Sequence, residues 1–259
     1  MNQTFNIKRF SMLFKKHTIE NYKTYLMSVG VLAGMLLLFM GIASYGSGGY
    51  LSLGNQEAFF VSFLLIAGCI FSSMVFADLG DKKKAIPTLT LPASHFEKYL
   101  VAWLYSFVIF QLLFVGLFYL IATIVINLGQ NIPGRENVLL ELFSVDRKAY
   151  VAFIIYPILH AIIFFGAIYF EKLHFIKTAF AFFIGVFLLG LINKPILSSM
   201  FDQKVQGSSI FSPVQISNGK EAFEIHAPDV RDQTEAIVLG LVVVILWISA
   251  YYKLKEKEV

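Results

Sequence analysis

Two polar residues lie inside long apolar stretches of the chain. His160 stands in the run LHAIIFF, and Gln111 stands in the run IFQLLF. An ionisable residue at such a position is by default a candidate proton or ligand site that faces the interior of a helix bundle. The alternative is a neutral histidine hydrogen-bonded to a neighbouring helix. We favour this alternative because no apolar stretch contains an Asp or Glu that could pair with His160.

Motifs for several other chemistries are missing from the chain. There is no G-x-x-x-x-G-K-[ST] sequence to hold ATP phosphates, and no H-E-x-x-H or G-x-S-x-G sequence. The single cysteine, Cys69, excludes a disulfide framework and a cysteine-rich zinc site. A net charge of +4 is too small to indicate a nucleic-acid partner. We therefore expect no enzymatic activity, metal or cofactor in this chain. If ATP drives the protein, a separate subunit binds ATP and magnesium.

The segment 78–98 has the chemistry of a docking surface. It reads DLGDKKKAIPTLTLPASHFEK, with a lysine cluster and two prolines that exclude a long helix. Ser94 and Glu97 are spaced as a capping box that starts a helix. A plain connection between helices needs about two to eight residues. The greater length of this segment indicates an ordered contact surface.

The stretch LTLPAS at 89–94, followed by Glu97 and Lys98, resembles the segment before the third span of ABC-2-type permeases. These proteins are the membrane subunits of ABC exporters. The likeness is closest to small six-span permeases of Bacteroidetes and covers the layout of the whole chain. In that family the loop between spans two and three docks on a separate ABC ATPase subunit. The resemblance implies that the docking residues here are Lys82, Lys83, Lys84, Thr88, Leu89, Thr90 and Leu91.

The resemblance also implies a domain layout and a partner. Residues 1–24 would be the family's elbow helix, and residues 25–259 would be the permease domain. Family members pair as homodimers or with a related permease, largely through the first and fifth spans. Both of these spans contain small residues four apart, which let helix backbones approach closely. Those pairs, which fit either packing within one chain or a dimer seam, are Gly30 with Gly34 and Ala181 with Gly185.

The composition indicates a membrane protein. Hydrophobic residues make up 57% of the chain and charged residues 15%, against about 45–50% and about 25% in soluble domains. The charge-free runs are long, and a bilayer needs about 20 apolar residues per helix. We predict an all-α integral membrane protein with six transmembrane helices at 25–45, 58–77, 99–127, 150–170, 174–193 and 236–252.

The basic residues predict an orientation. The two termini and the second and fourth loops carry 14 of the 21 Lys and Arg residues. Basic residues favour the cytoplasmic side, so we expect both termini in the cytoplasm. The chain would then be a multi-pass protein of a bacterial inner membrane, with the lipid bilayer as its surroundings.

The segment before the first span has an amphipathic pattern. Phe10, Leu13, Phe14 and His17 recur at helical spacing, and the basic residues lie mostly off this stripe. Such a pattern predicts a basic helix in the membrane interface. A solvated basic tail is the alternative.

Two elements are expected in the external loops. Residues 138–143 read as a short amphipathic helix. In the long external loop 194–235, Asn218-Gly219 between alternating segments predicts a β-hairpin near 213–225, with Val214 opposite Phe223. A disordered loop is the alternative to the hairpin.

The leading functional hypothesis is a permease subunit of an ATP-driven exporter. The alternative from another class is a non-transporting membrane scaffold or sensor that binds a partner through its external loop. An intramembrane enzyme centred on His160 is a third hypothesis. It is disfavoured because catalysis normally needs a second polar group nearby.

Overall fold

The computed structural model describes residues 5–76, 91–129, 137–144, 147–170, 173–201, 204–207, 214–217, 222–225 and 231–257. Within these ranges, six helices are long and apolar enough to cross a membrane. This is the architecture of a multi-pass membrane protein, and it agrees with the six predicted spans.

The bounds of the elements follow the chain. The first two spans are α1 (Ile7–Gly46) and α2 (Leu53–Met74). The third span joins α3 (His95–Trp103), a π-helical turn (Leu104–Ile109) and α4 (Phe110–Leu128). A 3-10 turn (Lys148–Tyr150) leads into α5 (Val151–Tyr169), and α6 (His174–Phe201) follows. The remaining elements are β1 (Lys204–Gly207), β2 (Val214–Ser217), β3 (Ala222–Ile225) and α7 (Arg231–Glu256).

The prediction of a separate interfacial helix over residues 1–24 is wrong. Helix α1 continues without a break from Ile7 to Gly46. The segment 8–29 contains neither proline nor glycine, so nothing in it interrupts helical hydrogen bonding. The predicted apolar stripe packs on the third span, where the rings of Phe14 and His17 lie 4.9 and 4.6 Å from the ring of Tyr105.

The last two spans are longer than predicted. Helix α6 passes residue 193 and includes Pro195, and α7 begins at Arg231 rather than at residue 236. A proline is tolerated in a membrane helix where the surroundings satisfy the freed backbone groups. The connection between the two spans is therefore shorter than the predicted external loop 194–235.

Helix α5 is the central helix of the bundle. Half of the residues in the most apolar stretch of this span are buried, against 11% for α1 and 6% for α6. It packs against α2, α6 and α7. One core cluster surrounds Phe60, Phe114 and Tyr156, and a second surrounds Phe164 near the other end of α5. The outer faces of α1 and α6 are left for lipid or for another chain.

The segment 137–144 is not the amphipathic helix that the sequence predicts. It is irregular, with Leu140 and Leu142 buried and Phe143 80% exposed. The buried amide of Gln56 replaces helical hydrogen bonds: its Nε2 donates to the Val138 carbonyl (2.9 Å), and its Oε1 accepts from the Leu140 N–H (2.9 Å). Two backbone groups of this segment, the Val138 carbonyl and the Leu140 N–H, are therefore satisfied by a side chain of α2 and not by a helical turn.

The three strands form one antiparallel sheet in the order β1-β2-β3. Val214 pairs with Ile225 and Ile216 with Phe223, so the predicted pairing of Val214 with Phe223 is wrong. Ser217 pairs with Ala222, which leaves four residues between the strands instead of two. A shift of two residues preserves the alternation of a strand, so the hydrophobic pattern does not distinguish the two registers.

Candidate functional site

The end of the molecule at which α1 and α3 begin is organised around Glu97. Ser94 and Glu97 form the predicted capping box: the Ser94 hydroxyl accepts from the Glu97 N–H (3.2 Å), and the Glu97 carboxylate accepts from the Ser94 N–H (3.0 Å). This reciprocal pair satisfies two donors at the start of α3. The Glu97 side chain is nevertheless 0% exposed, which a cap alone does not require.

The same carboxylate binds the start of α1. Its Oε1 accepts from the Asn6 N–H (2.8 Å) and from Nη2 of Arg9 (2.9 Å), which is 29% exposed. Asn6 is the N-cap of α1, and its own side chain accepts from the N–H groups of Lys8 and Arg9. One buried carboxylate therefore joins the N-termini of two helices, where the helix dipoles favour negative charge.

Aromatic contacts continue this junction toward the membrane. The ring of Phe5 lies 6.0 Å from that of Phe96, and the hydroxyl groups of Thr18 and Tyr105 are hydrogen-bonded. Tyr25 stacks on Tyr105 at 5.5 Å. The first part of α1 and the first half of the third span therefore form one packed unit, which we call the leader junction.

Most of the predicted docking segment lies outside the described residues. This applies to Lys82, Lys83, Lys84, Thr88, Leu89 and Thr90. Leu91, the last docking residue, is half-buried at the start of the described chain, three residues before the capping box. The docking assignment therefore stays a prediction, and of its residues only Leu91 is described.

The second candidate site is the buried histidine. His160 is 0% exposed, and its Nε2 lies 2.8 Å from Oγ of Ser106. The indole N–H of Trp247 donates to its Nδ1 (3.2 Å). The Ser106 hydroxyl donates to the Ala102 carbonyl (2.8 Å), and the Tyr156 hydroxyl donates to the Ser106 carbonyl (2.6 Å). These bonds join the third, fourth and sixth spans.

The network assigns the tautomer of His160. An indole N–H only donates, so Nδ1 accepts, and the proton of a neutral ring lies on Nε2 and points to Ser106. A proton arriving at Nδ1 would displace the Trp247 bond. In the described part of the chain the two ring nitrogens contact no carboxylate. The arrangement therefore fits a histidine that holds three helices together, which is the interpretation that the sequence favours.

The partners of His160 are residues that sequence reasoning missed. Ser106 lies in the π-helical turn, a rare conformation that often marks functional sites. Its carbonyl accepts a hydrogen bond from the Tyr156 hydroxyl. The sequence does contain a signal for Trp247. Tryptophan is enriched at the membrane interfaces, so a tryptophan inside a charge-free run is unusual and indicates a polar partner for its N–H. Gln111, the other polar candidate, donates to the Phe107 carbonyl of its own span (3.0 Å) and makes no described contact with His160.

The small-residue pairs lie on the outside of the bundle. A Cβ built on Gly30, Gly34 or Gly185 would meet no described atom within 4 Å, and Ala181 is exposed. Among the described residues these four positions therefore make no tight contact with the rest of the chain, and the dimer seam stays a prediction. A different glycine packs tightly within the chain: a methyl group on Gly68 would overlap the ring of Tyr156.

Among the described residues, no three His, Cys, Asp or Glu side chains are grouped to hold an ion. Cys69 is buried in α2. The chain matches no protein-family model, no curated protein and no solved structure. The six spans, the leader junction and the outward glycines are therefore the structural observations that bear on a function.

Proposed function

We propose that this chain is the permease subunit of an ATP-driven ABC exporter. It lies in a bacterial inner membrane with both termini in the cytoplasm, and a separate ATPase subunit binds ATP and magnesium. The ATPase docks on the segment 82–91 between the second and third spans. This proposal rests on the resemblance of that segment to ABC-2-type permeases, and on the six spans.

The leader junction is the observation that supports the proposal most directly. A coupling segment has to transmit movement of the ATPase to the spans, so its end needs a rigid attachment. Here the segment ends at Leu91, and Ser94 and Glu97 follow at once in a buried network with Asn6 and Arg9. Force applied at Leu91 would therefore move the third span and α1 together.

The second half of the proposal is a dimer. Spans one and five have the lowest buried fractions of the six, 11% and 6%, and their small residues face outward. Close approach of helix backbones in lipid depends on such residues. We place the seam at Gly30 and Gly34 of α1 and at Ala181 and Gly185 of α6, between two copies or with a related permease.

Co-purification tests the docking assignment. The chain is expressed with each candidate ABC-type P-loop ATPase of the same genome, and the ATPase retained on the tagged permease is measured. Reversing Lys82, Lys83 and Lys84 to Glu removes the complex. The matched control reverses the three lysines of the C-terminus, Lys253, Lys255 and Lys257, and keeps it.

Two results would contradict the proposal at different levels. If the triple reversal at 82–84 and replacement of Leu89 and Leu91 by Asp both leave the complex intact, the docking segment is wrong. If no ATPase associates with the unaltered chain, the permease assignment fails and the scaffold or sensor hypothesis is favoured.

Cysteine cross-linking tests the seam. In a Cys69→Ala background, Gly34→Cys or Ala181→Cys is expected to form disulfide-linked dimers in membranes. Gly116→Cys, equally open but on the third span, is the control and should stay monomeric. Equal cross-linking at all three positions would refute the seam.

A further inference from the structure

A cleft of about 230 Å³ lies beside the leader junction. Its walls are α1, the last turn of α2, α3 and the end of α7. Its lining combines apolar side chains, among them Phe71 and Val101, with the lysines Lys16 and Lys98 and the imidazole of His95. The cleft is therefore amphipathic, and Lys16 and Lys98 form its cationic part.

The sequence places this cleft at a membrane–water boundary. The charge-free runs begin at Thr24 in α1 and at Tyr99 in the third span, and they end at Ala77 after α2 and at Tyr252 in α7. The cleft extends along α1 from Leu13 to Ser28 and includes Phe76, Lys98 and Leu254. All four walls thus change from charged to apolar sequence at the level of the cleft.

Positive charge is concentrated at this level. Lys16 lies within electrostatic range of Lys98, and Lys98 and Lys255 lie within range of His95. Glu20 also lines the cleft, 3.5 Å from Lys16, with its side chain 60% exposed. The cationic part therefore favours an anionic ligand.

His95 adds an observation of a different kind. Its Nδ1 is buried and has no hydrogen-bond partner among the described residues. Leaving such an atom unsatisfied is unfavourable. Because this atom has almost no exposed surface, a ligand in the cleft reaches it only after the imidazole ring rotates toward the opening.

We propose that this cleft binds the headgroup of an anionic phospholipid, with the phosphate beside Lys16, Lys98 and His95. The first methylene groups of an acyl chain lie against Phe71 and Val101. The cleft is smaller than the 300–1,000 Å³ typical of sites that enclose a whole ligand, which suits a headgroup with its chains in the bilayer. The inference rests on residence in a membrane and not on ATPase docking.

Native mass spectrometry of the full chain in a neutral detergent tests the site, with phosphatidylglycerol compared with phosphatidylcholine. Each lysine near an anionic headgroup contributes about five-fold in affinity, so Lys16→Gln with Lys98→Gln should weaken phosphatidylglycerol binding about 25-fold. The matched control, Lys8→Gln with Lys15→Gln, removes the same charge from exposed positions outside the cleft and should change binding less than two-fold.

A second pair of variants tests the shape of the cleft without changing charge. Thr24 lines the cleft, so Thr24→Trp should block phosphatidylglycerol. Met27→Trp, on the same helix and 67% exposed, should not. Equal losses in the two lysine pairs, no preference for phosphatidylglycerol, or full binding by Thr24→Trp would each overturn the proposal. Displacement of the lipid by millimolar inorganic phosphate would overturn it in favour of a free anion.

Discussion

Replacing Glu97 by Gln tests the leader junction most directly. The substitution keeps the size of the side chain but removes its charge and one acceptor oxygen. The wild-type carboxylate accepts from the backbone of Asn6 and Ser94 and from Arg9 while it is 0% exposed. Gln can keep one of these acceptor bonds at Oε1, but it places an amide NH₂ opposite another donor.

The magnitude follows from these contacts. The lost capping bond contributes about 1 kcal/mol. Loss of a charge-assisted bond contributes about 1.5 kcal/mol more. The ion pair with Arg9 adds at most about 0.5 kcal/mol, because Arg9 is 29% exposed and can regain water. We expect the free energy of unfolding to fall by about 2–3 kcal/mol, which corresponds to a thermal midpoint lower by about 5–10 °C.

Thermal unfolding in a fixed detergent, followed by tryptophan fluorescence, is the assay. Glu20→Gln is the matched control because it removes one negative charge from an exposed pair on α1, and it should shift the midpoint by less than about 2 °C. Arg9→Gln combined with Glu97→Gln should destabilise less than the sum of the two single variants, since both break the same contact. A midpoint for Glu97→Gln equal to that of Glu20→Gln would refute the buried junction.

Three further outcomes follow from the packing. Gly68→Ala should lower stability by about 1–3 kcal/mol in the same assay because its methyl group overlaps the Tyr156 ring, whereas Gly116→Ala, which meets no described atom, should not. Gln56→Leu should raise the hydrogen-exchange rate of the Leu140 amide about 30-fold, since the loss of its acceptor is worth about 2 kcal/mol. An unchanged rate would contradict the attachment of the segment 137–144 to Gln56. His160→Leu should lower stability by about 1–2 kcal/mol and leave ATP-driven transport intact below its unfolding temperature. Loss of transport with unchanged stability would instead indicate chemistry at His160.

Elements that depend on neighbouring residues were predictable. The six spans follow from apolar runs, because the free energy of transfer into lipid adds up residue by residue along one helix. The Ser94–Glu97 capping box was predictable for the same reason, since its two residues are three positions apart. The strand pairing was only partly predictable, because a shift of two residues leaves the alternation of apolar and polar side chains unchanged.

The partners of buried polar groups depended on the tertiary structure. Glu97 meets Asn6 across 91 positions, His160 meets Trp247 across 87, and Gln56 meets Leu140 across 84. The sequence shows that such groups need partners, since an unsatisfied polar group in an apolar interior is costly. It does not show which partner is near, because that depends on how the helices pack.

The sequence by itself thus determined that the chain is built to cross a membrane six times, and which segment resembles a docking loop. Only the tertiary structure decided that α1 is one continuous helix joined to the third span, that His160 has satisfied nitrogens, and that the small residues of α1 and α6 face outward. The physical reason is that burial in lipid is a property of each helix. The satisfaction of a polar group and the direction of a helix face are properties of the packed bundle.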